Sequence, residues 1–208
     1  IPYIEKMLNI EIEDNDKLKE VDEKFVSPSK VDKKFYQELE KIFENDKFTI
    51  ENTERLIHSH GQETFKDIYK VLYKSIDRIV DLVFYPESEE DVKKIIEIAL
   101  KYNVCLIPYG GGTNVTRALS VPDNEKRTVV SIDTRRLSKI EWLNKEDRRV
   151  CVEAGITGKN LDELLKKEGF MIGHEPDSVE LSTIGGWIAT NASGMKKNKY
   201  GNIEDIVE

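Results

Sequence analysis

The sequence predicts an α+β domain preceded by a helical region. Short apolar runs alternate with amphipathic segments from about residue 76 onward, as expected for strands and helices in turn. Two of these runs, 140–143 and 149–152, flank the polar turn 144–147 and predict an antiparallel hairpin. Residues 1–75 are highly charged, with apolar residues at helical spacing. We therefore expect a helical region over 1–75 and the first part of a mixed-sheet domain over 76–208.

Two helices are predicted in the N-terminal region, over 31–43 and 64–73. Their apolar faces consist of Phe35, Leu39, Ile42 and Phe43 in the first, and of Phe65, Ile68, Tyr69 and Leu72 in the second. His58 and His60 stand two residues apart, but no Cys or further His lies nearby to complete a metal shell. A helix-end or packing role is favoured for this pair, and we expect no metal site.

The second part begins with a strand over 81–86, which Pro86 ends. Ser88 and the acid Asp91 predict the start of a helix over 89–101, with a core face of Val92, Ile95, Ile96 and Ala99. The runs 104–107 and 128–132 predict further strands. A helix over 158–168 would begin after Thr157, end at Gly169, and bury Leu161, Leu164 and Leu165.

Composition narrows the classes of function. A net charge of −8 argues against a nucleic-acid partner, and no apolar run has the roughly 18 residues that a membrane span needs. Cys105 and Cys151 lie in strand-like apolar runs and are predicted to be buried free thiols. The sequence starts at Ile1 rather than Met, so we expect a fragment of a longer protein.

A glycine-rich loop follows the strand 104–107. Three successive glycines permit positive φ angles and the close approach of a ligand to bare backbone. Their N–H groups can form a concave nest for an anion, and a threonine hydroxyl is available beside them. A flexible surface turn is the alternative. The spacing matches neither a P-loop nor a Rossmann fingerprint. The segment comprises Pro108, Tyr109, Gly110, Gly111, Gly112, Thr113 and Asn114.

A second segment rich in small polar residues begins at His174. Ser182 or Thr183 could cap a helix there, and its free N–H groups and dipole would face an anion. Small residues would keep the surface shallow for a flat cofactor, although a helix packed tightly on the sheet explains them as well. Two such nests in one domain favour a long ligand with a central pyrophosphate.

These motifs carry a family resemblance. The PxGGGT loop, Ala154–Gly158 (AGITG), GHEPDS, STIGGWIAT and the run 194–205 (GMKKNKYGNIED) resemble the FAD-binding domain of the vanillyl-alcohol oxidase type. Within it they are similar to the alkyldihydroxyacetonephosphate synthase family of ether-lipid enzymes. GHEPDS and the run 194–205 are much more specific than the glycine loop. The resemblance covers about residues 54–208. The region before residue 54 is compatible with the same family but carries none of these motifs.

The resemblance implies an enzyme of ether-lipid biosynthesis with FAD as cofactor. Such an enzyme exchanges the acyl group of acyl-dihydroxyacetone phosphate for a long-chain fatty alcohol, with release of a fatty acid and without net redox change. The flavin would act covalently. A peroxisomal location, a homodimer and peripheral membrane association are further implications. Two alternatives remain open: an FAD-linked D-2-hydroxyacid dehydrogenase or oxidase of the same superfamily, and a non-catalytic interaction module that uses the acidic helices.

The resemblance also implies residue roles. The segment Pro108–Asn114 would hold the FAD pyrophosphate. The flavin and ribityl chain would contact Asp177, Ser178, Val179, Glu180, Leu181, Ser182 and Thr183, together with Thr190, Asn191, Ala192 and Ser193. His174 is the titratable group beside the second segment and is a candidate for proton transfer, with a structural turn histidine as the alternative. The main catalytic residues are expected beyond residue 208.

Overall fold

The computed structural model of the chain describes residues 2–9, 11, 26–61, 71, 76 and 78–208. The helix predicted over 64–73 lies outside these residues, apart from Val71. The described helices are α1 (Pro2–Leu8), α2 (Lys33–Ile42), α3 (Asn52–Ile57), α4 (Glu89–Tyr102), α5 (Gly158–Lys167), α6 (Ile184–Ala189), α7 (Lys197–Tyr200) and α8 (Ile203–Ile206). None of them has the length and apolar character that crossing a membrane requires.

The described strands form two sheets. They are β1 (Phe48–Thr49), β2 (Leu82–Phe84), β3 (Cys105–Tyr109), β4 (Val129–Asp133), β5 (Ile140–Asn144) and β6 (Arg149–Val152). The larger sheet has the order β1-β2-β4-β3, with β4 parallel to both β2 and β3. Strand β1 is antiparallel to β2. The mixed sheet and the predicted hairpin, β5-β6, are both confirmed.

Helices α2 and α4 cover one face of the larger sheet. Phe35 and Leu39 from α2 and Ile95 from α4 are fully buried there against Leu82 and Phe84 of β2. Burying one such side chain stabilises the fold by about 2 kcal/mol. The segment before residue 62 therefore contributes both a helix and the edge strand β1 to this layer. The boundary predicted at residue 75 stays a prediction.

Two side chains predicted for this core are exposed instead. Ile42 is 44% exposed, because the buried stripe of α2 runs through Phe35, Leu39 and Phe43 at four-residue spacing. Ile96 is 43% exposed, whereas Ile98 is buried beside Ile95 and Ala99. Positions 95, 98 and 99 share one helical face, and residue 96 is rotated by about 100° from its neighbour Ile95.

Helix α4 begins at the predicted Ser88, whose hydroxyl accepts a hydrogen bond from the Asp91 N–H at 3.1 Å. The Asp91 side chain has other partners than the Ser88 N–H, which the predicted capping box would assign to it. The Asp91 carboxylate accepts from the Glu87 N–H at 2.9 Å and from Lys47 Nζ at 2.8 Å. It thereby links α4 to the turn before β1. Asn103, with φ of 54°, ends the helix in the left-handed conformation that Asn tolerates.

The hairpin β5-β6 packs with α5, α6 and α8 around a second core. Thr157 caps α5 by accepting from the Asn160 N–H at 3.2 Å, and Gly169 follows the helix with φ of +82°, as predicted. Leu161 and Leu165 are buried, but Leu164 is 38% exposed, because it lies off the stripe at positions 161 and 165. Cys105 and Cys151 are free thiols but only half-buried, since β3 is an edge strand and β6 belongs to a two-stranded sheet.

Asp81 joins the N-terminal segment to the larger sheet. Its carboxylate accepts two hydrogen bonds from the Arg78 guanidinium, at 2.9 and 2.6 Å, and one each from the N–H groups of Lys30 and Val129. Burial favours the protonated acid, but these hydrogen bonds outweigh it and lower the pKa of Asp81. The Ser29 hydroxyl also donates to the Asp81 carbonyl at 2.7 Å.

We predict that Asp81→Asn destabilises the protein by about 3 kcal/mol, because it leaves the buried Arg78 without its counter-charge. The melting temperature should fall on the order of 10 °C. Because the pKa of Asp81 is lowered, this stabilisation is present at neutral pH and is lost as pH falls through the acid range. Thermal unfolding followed by circular dichroism at several pH values measures both effects. Glu168→Gln, in the exposed pair with Lys145, is the control and should change the melting temperature far less. Equal shifts would contradict the assignment.

Candidate functional site

The glycine loop begins where β3 ends. The strand is longer than predicted, so Pro108 and Tyr109 are its last residues, and residues 110–114 follow as a half-buried loop. Pro108 is tolerated because β3 lies at the edge of the sheet. Gly112 has φ of +67°, and a Cβ there would lie 2.5 Å from the Tyr109 hydroxyl. The loop thus requires glycine both for its conformation and for its contact with Tyr109.

The two segments that were predicted separately are in contact. A Cβ on Gly111 would lie 1.9 Å from the carbonyl oxygen of Leu181. A Cβ on Gly110 would lie 2.3 Å from the hydroxyl oxygen of Thr183. Gly110 and Gly111 are therefore needed because another part of the chain approaches their backbone, and the two segments form a single site.

The segment 177–183 forms a turn that the backbone fixes. Ser178 has φ of 55°, and its carbonyl accepts from the N–H groups of Leu181 and Ser182 at 2.9 and 2.8 Å. Val179 packs over Gly158, where a Cβ would lie 2.7 Å from its methyl group. The Gly158 N–H donates to the Ser182 carbonyl at 3.1 Å. These contacts tie the turn to the start of α5, while Asp177, Glu180 and Leu181 remain exposed.

Thr183 is the residue that caps α6, and its hydroxyl accepts from the Gly186 N–H at 3.2 Å. Helix α6 has only six residues, Ile184–Ala189. The dipole expected at its N-terminus is therefore too small to favour anion binding by itself. The neighbouring Ser182 is buried and accepts from the Trp187 indole N–H at 2.8 Å. Thr183 therefore serves to fix the backbone beside Gly110.

The third predicted segment, Thr190–Ser193, lies at the opposite end of α6, about 9 Å along the helix axis. The Thr190 hydroxyl donates to the Gly186 carbonyl at 2.8 Å, and the Ala192 N–H donates to the Trp187 carbonyl at 2.9 Å. Asn191 adopts φ of 48°. Thr190, Asn191 and Ser193 are exposed and Ala192 is half-buried, so these groups are accessible from one side.

His174 lies behind α6 and is only 2% exposed. Its ring packs against Trp187 with 5.1 Å between centroids, so Trp187 stands between it and Ser182. Neither ring nitrogen has a hydrogen-bond partner within the described part of the chain. Burial lowers the pKa of His174, and the charge of Glu204 opposes this only in part. His174 is thus a neutral imidazole with an unused donor and an unused acceptor.

A charged cluster that the sequence analysis missed lies under the glycine loop. Asp133, the last residue of β4, is paired with Tyr109 of β3 in the sheet register. Its carboxylate accepts from His58 Nε2 at 2.9 Å and from Arg135 Nη2 at 2.6 Å. The His58 ring contacts the Tyr109 ring at 4.3 Å between centroids. The available sequence signal was an acidic residue directly after the predicted strand 128–132, because ligand sites collect at the carboxyl ends of strands in α/β sheets.

This site has the chemistry that a dinucleotide requires. The loop 110–114 carries backbone N–H groups, the Thr113 hydroxyl and the Asn114 amide, and it has no acidic side chain. Such a set of donors suits a pyrophosphate. The residues present therefore fit FAD.

The sequence profile of a family described as "FAD binding domain" matches residues 80–208. The chain belongs to this family. The predicted FAD cofactor and the predicted mixed-sheet FAD-binding fold are thereby confirmed. The match begins after α3, so His58 and the rest of the N-terminal segment lie outside the part that defines the family.

Relatives of this FAD-binding domain include an alkyldihydroxyacetonephosphate synthase from Caenorhabditis elegans, 50% identical over 160 residues, which are 77% of this chain and 27% of that protein. The enzyme of the same name from Dictyostelium discoideum is 39% identical over 87% of this chain and 29% of its own length. A solved structure of an alkyldihydroxyacetonephosphate synthase superposes with a TM-score of 0.82 at 39% identity, over 86% of this chain and 34% of that chain.

A mitochondrial D-lactate dehydrogenase from Arabidopsis thaliana is also related, at 33% identity over 85% of this chain and 29% of its own length. The chain therefore spans about a third or less of the relatives and the solved structure it matches. The similarity to the synthases is higher than that to this dehydrogenase.

We predict that Gly111→Ala greatly weakens FAD binding, because its Cβ would collide with the Leu181 backbone and separate the two segments. The measurement is the ratio of flavin absorbance to protein absorbance after purification. Gly169→Asn is the control, because no atom of the described residues, apart from its chain neighbours, lies within 4 Å of a Cβ at Gly169, and Asn tolerates its positive φ. A normal flavin content in Gly111→Ala would refute the assignment of the loop to the cofactor.

Proposed function

We propose that the protein of which this FAD-binding domain is a part acts as an alkyldihydroxyacetonephosphate synthase in ether-lipid biosynthesis. It would exchange the acyl group of acyl-dihydroxyacetone phosphate for a long-chain fatty alcohol, giving alkyl-dihydroxyacetone phosphate and a free fatty acid. The observation that carries the proposal is the 50% identity to the Caenorhabditis elegans synthase. This chain also contains the two more specific motifs, GHEPDS and the run 194–205.

In this proposal the glycine loop Pro108–Asn114 holds the FAD pyrophosphate through backbone N–H groups. The turn 177–183 and the segment 190–193 hold the flavin and ribityl chain, one from each end of α6. FAD, when bound, supplies covalent chemistry without net electron transfer at the carbon that carries the leaving fatty acid. The protein segments orient the cofactor and exclude water from that carbon.

His174 is the proposed proton-transfer residue. The exchange releases a carboxylic acid and consumes an alcohol, so a proton leaves the alcohol oxygen as the new ether bond forms. A neutral imidazole can accept that proton at a ring nitrogen, and lowering of the His174 pKa by burial favours this neutral form. His174 is only 2% exposed, so this role requires its ring to become accessible to the substrate in the complete protein.

The partners and the location are also proposals. The substrates would be acyl-dihydroxyacetone phosphate and a long-chain fatty alcohol, and the protein would be a homodimer in the peroxisome. Both substrates carry long acyl or alkyl chains, which supports peripheral association with a membrane. A second candidate function is an FAD-linked D-2-hydroxyacid dehydrogenase, favoured by the relative from Arabidopsis thaliana.

The deciding experiment uses the complete protein with bound flavin. We expect it to form an alkyl ether from palmitoyl-dihydroxyacetone phosphate and hexadecanol, with one fatty acid released per ether and without sustained oxygen uptake. Mass spectrometry of the lipid products and an oxygen electrode give the two readouts. Bleaching of the flavin by D-lactate, with no ether formed, would instead establish the dehydrogenase.

We predict that His174→Ala retains FAD but lowers kcat by about 100-fold or more, the usual contribution of general acid–base catalysis. Because burial lowers the pKa of His174, wild-type activity should stay constant through neutral pH and fall only below the ordinary histidine range. The variant should lack this acid limb. Met171→Ala, at an exposed position three residues earlier, is the control. Unchanged turnover in His174→Ala would assign His174 a structural role.

A further inference from the structure

Three strands of the larger sheet end around His58, which belongs to the segment before the family match. Asp133 ends β4, Tyr109 ends β3, and Tyr85 follows β2. The fully buried His58 ring lies 4.3 Å from the Tyr109 ring and 6.0 Å from the Tyr85 ring, measured between centroids. Its Nε2 lies 2.9 Å from Asp133 Oδ2. His58 thus bridges the sheet edge from which the glycine loop departs.

Both ring nitrogens of His58 face acceptors. Nδ1 lies 2.7 Å from the Glu54 carbonyl oxygen, which can only accept, so Nδ1 carries a proton. Nε2 faces the Asp133 carboxylate. Burial raises the pKa of Asp133, but hydrogen bonds from His58 and Arg135 lower it by more, so the carboxylate is ionised and also only accepts. Each ring nitrogen of His58 therefore has an acceptor within hydrogen-bonding distance, one on α3 and one on β4.

Further polar side chains surround the contact between His58 and Asp133. The Glu54 carboxylate lies 3.8 Å from His58 Nδ1 and accepts from the Tyr85 hydroxyl at 2.6 Å. The Arg135 guanidinium lies over the Tyr109 ring at 5.3 Å. Removing the His58 ring would therefore remove contacts to both α3 and β4.

The same segment reaches the glycine loop at both ends. Tyr109 immediately precedes Gly110, and its hydroxyl lies under Gly112. At the other end, Gly61 packs against Asn114, where a Cβ would lie 2.3 Å from the Asn114 carbonyl oxygen. The five residues of the loop are therefore held between a ring contact to His58 and a backbone contact to Gly61.

We propose that His58 is a positioning residue for the cofactor loop. Its ring ties α3 to Asp133, supports Tyr109, and so sets the position of the loop 110–114 for the FAD pyrophosphate. The short segment from α3 to Gly61 is thereby a working part of the FAD site, although it lies outside residues 80–208. The proposal rests on FAD binding alone and not on the reaction that the complete protein performs.

The test is the affinity of the complete apoprotein for FAD, measured by quenching of flavin fluorescence. His58→Ala should weaken binding about 10-fold or more, equivalent to about 1.4 kcal/mol. His58→Gln places an amide N–H near the former Nε2 and should recover part of the loss. His58→Asn reaches only the Glu54 carbonyl and should recover less. Glu168→Gln is the control, because Glu168 lies in an exposed ion pair with Lys145 just after α5 and outside this segment.

The comparison of Gln with Asn separates this role from simple packing, because both side chains fill part of the ring volume but only Gln places a donor beside Asp133. Undiminished affinity in folded His58→Ala would overturn the proposal. If His58→Ala does not fold, Asn performing as well as Gln would do so.

Discussion

The close approach of two backbone segments is the constraint on which the site depends. Gly110 and Gly111 lie against Leu181 and Thr183 with no room for a side chain between them. Through this contact the larger sheet, with its helices α2 and α4, meets the hairpin and helices of the second core. A glycine is required wherever atoms from another segment occupy the position of a Cβ. The requirement for glycine here thus comes from the protein itself before any ligand is considered.

Each half of this contact is held by its own supports. On the side of the glycine loop, Tyr109 is fixed by His58, by Arg135, and by the Thr134 hydroxyl, which donates to its carbonyl at 3.0 Å. On the other side, Ser182 accepts from Trp187 while its carbonyl accepts from Gly158. The bond between Trp187 and Ser182 is buried and polar, so losing one partner there would leave the other unsatisfied. The site is therefore coupled to both cores.

Much of the fold could be predicted from the sequence, because the apolar patterns and caps are local. The hairpin β5-β6, the start of α4 at Ser88 and the start of α5 at Thr157 depend on residues close together in the chain. The contact of Gly111 with Leu181 could not be predicted, since it joins segments far apart in sequence. The same holds for His58 with Asp133. Ile96 and Leu164 were assigned wrongly because adjacent apolar residues leave the centre of a helical face undetermined until the partner surface is known.

Two residues of the segments that we propose to hold the cofactor adopt a backbone conformation that side chains disfavour. Ser178 and Asn191 have φ angles of 55° and 48°, and each costs on the order of 1 kcal/mol relative to an ordinary turn. The turn around Ser178 is nonetheless held by backbone hydrogen bonds within the protein. Its conformational entropy is therefore lost during folding and not when a ligand arrives. In the proposed site this turn would act as a preorganised template, to which a dinucleotide adds contacts without having to order the chain that makes them.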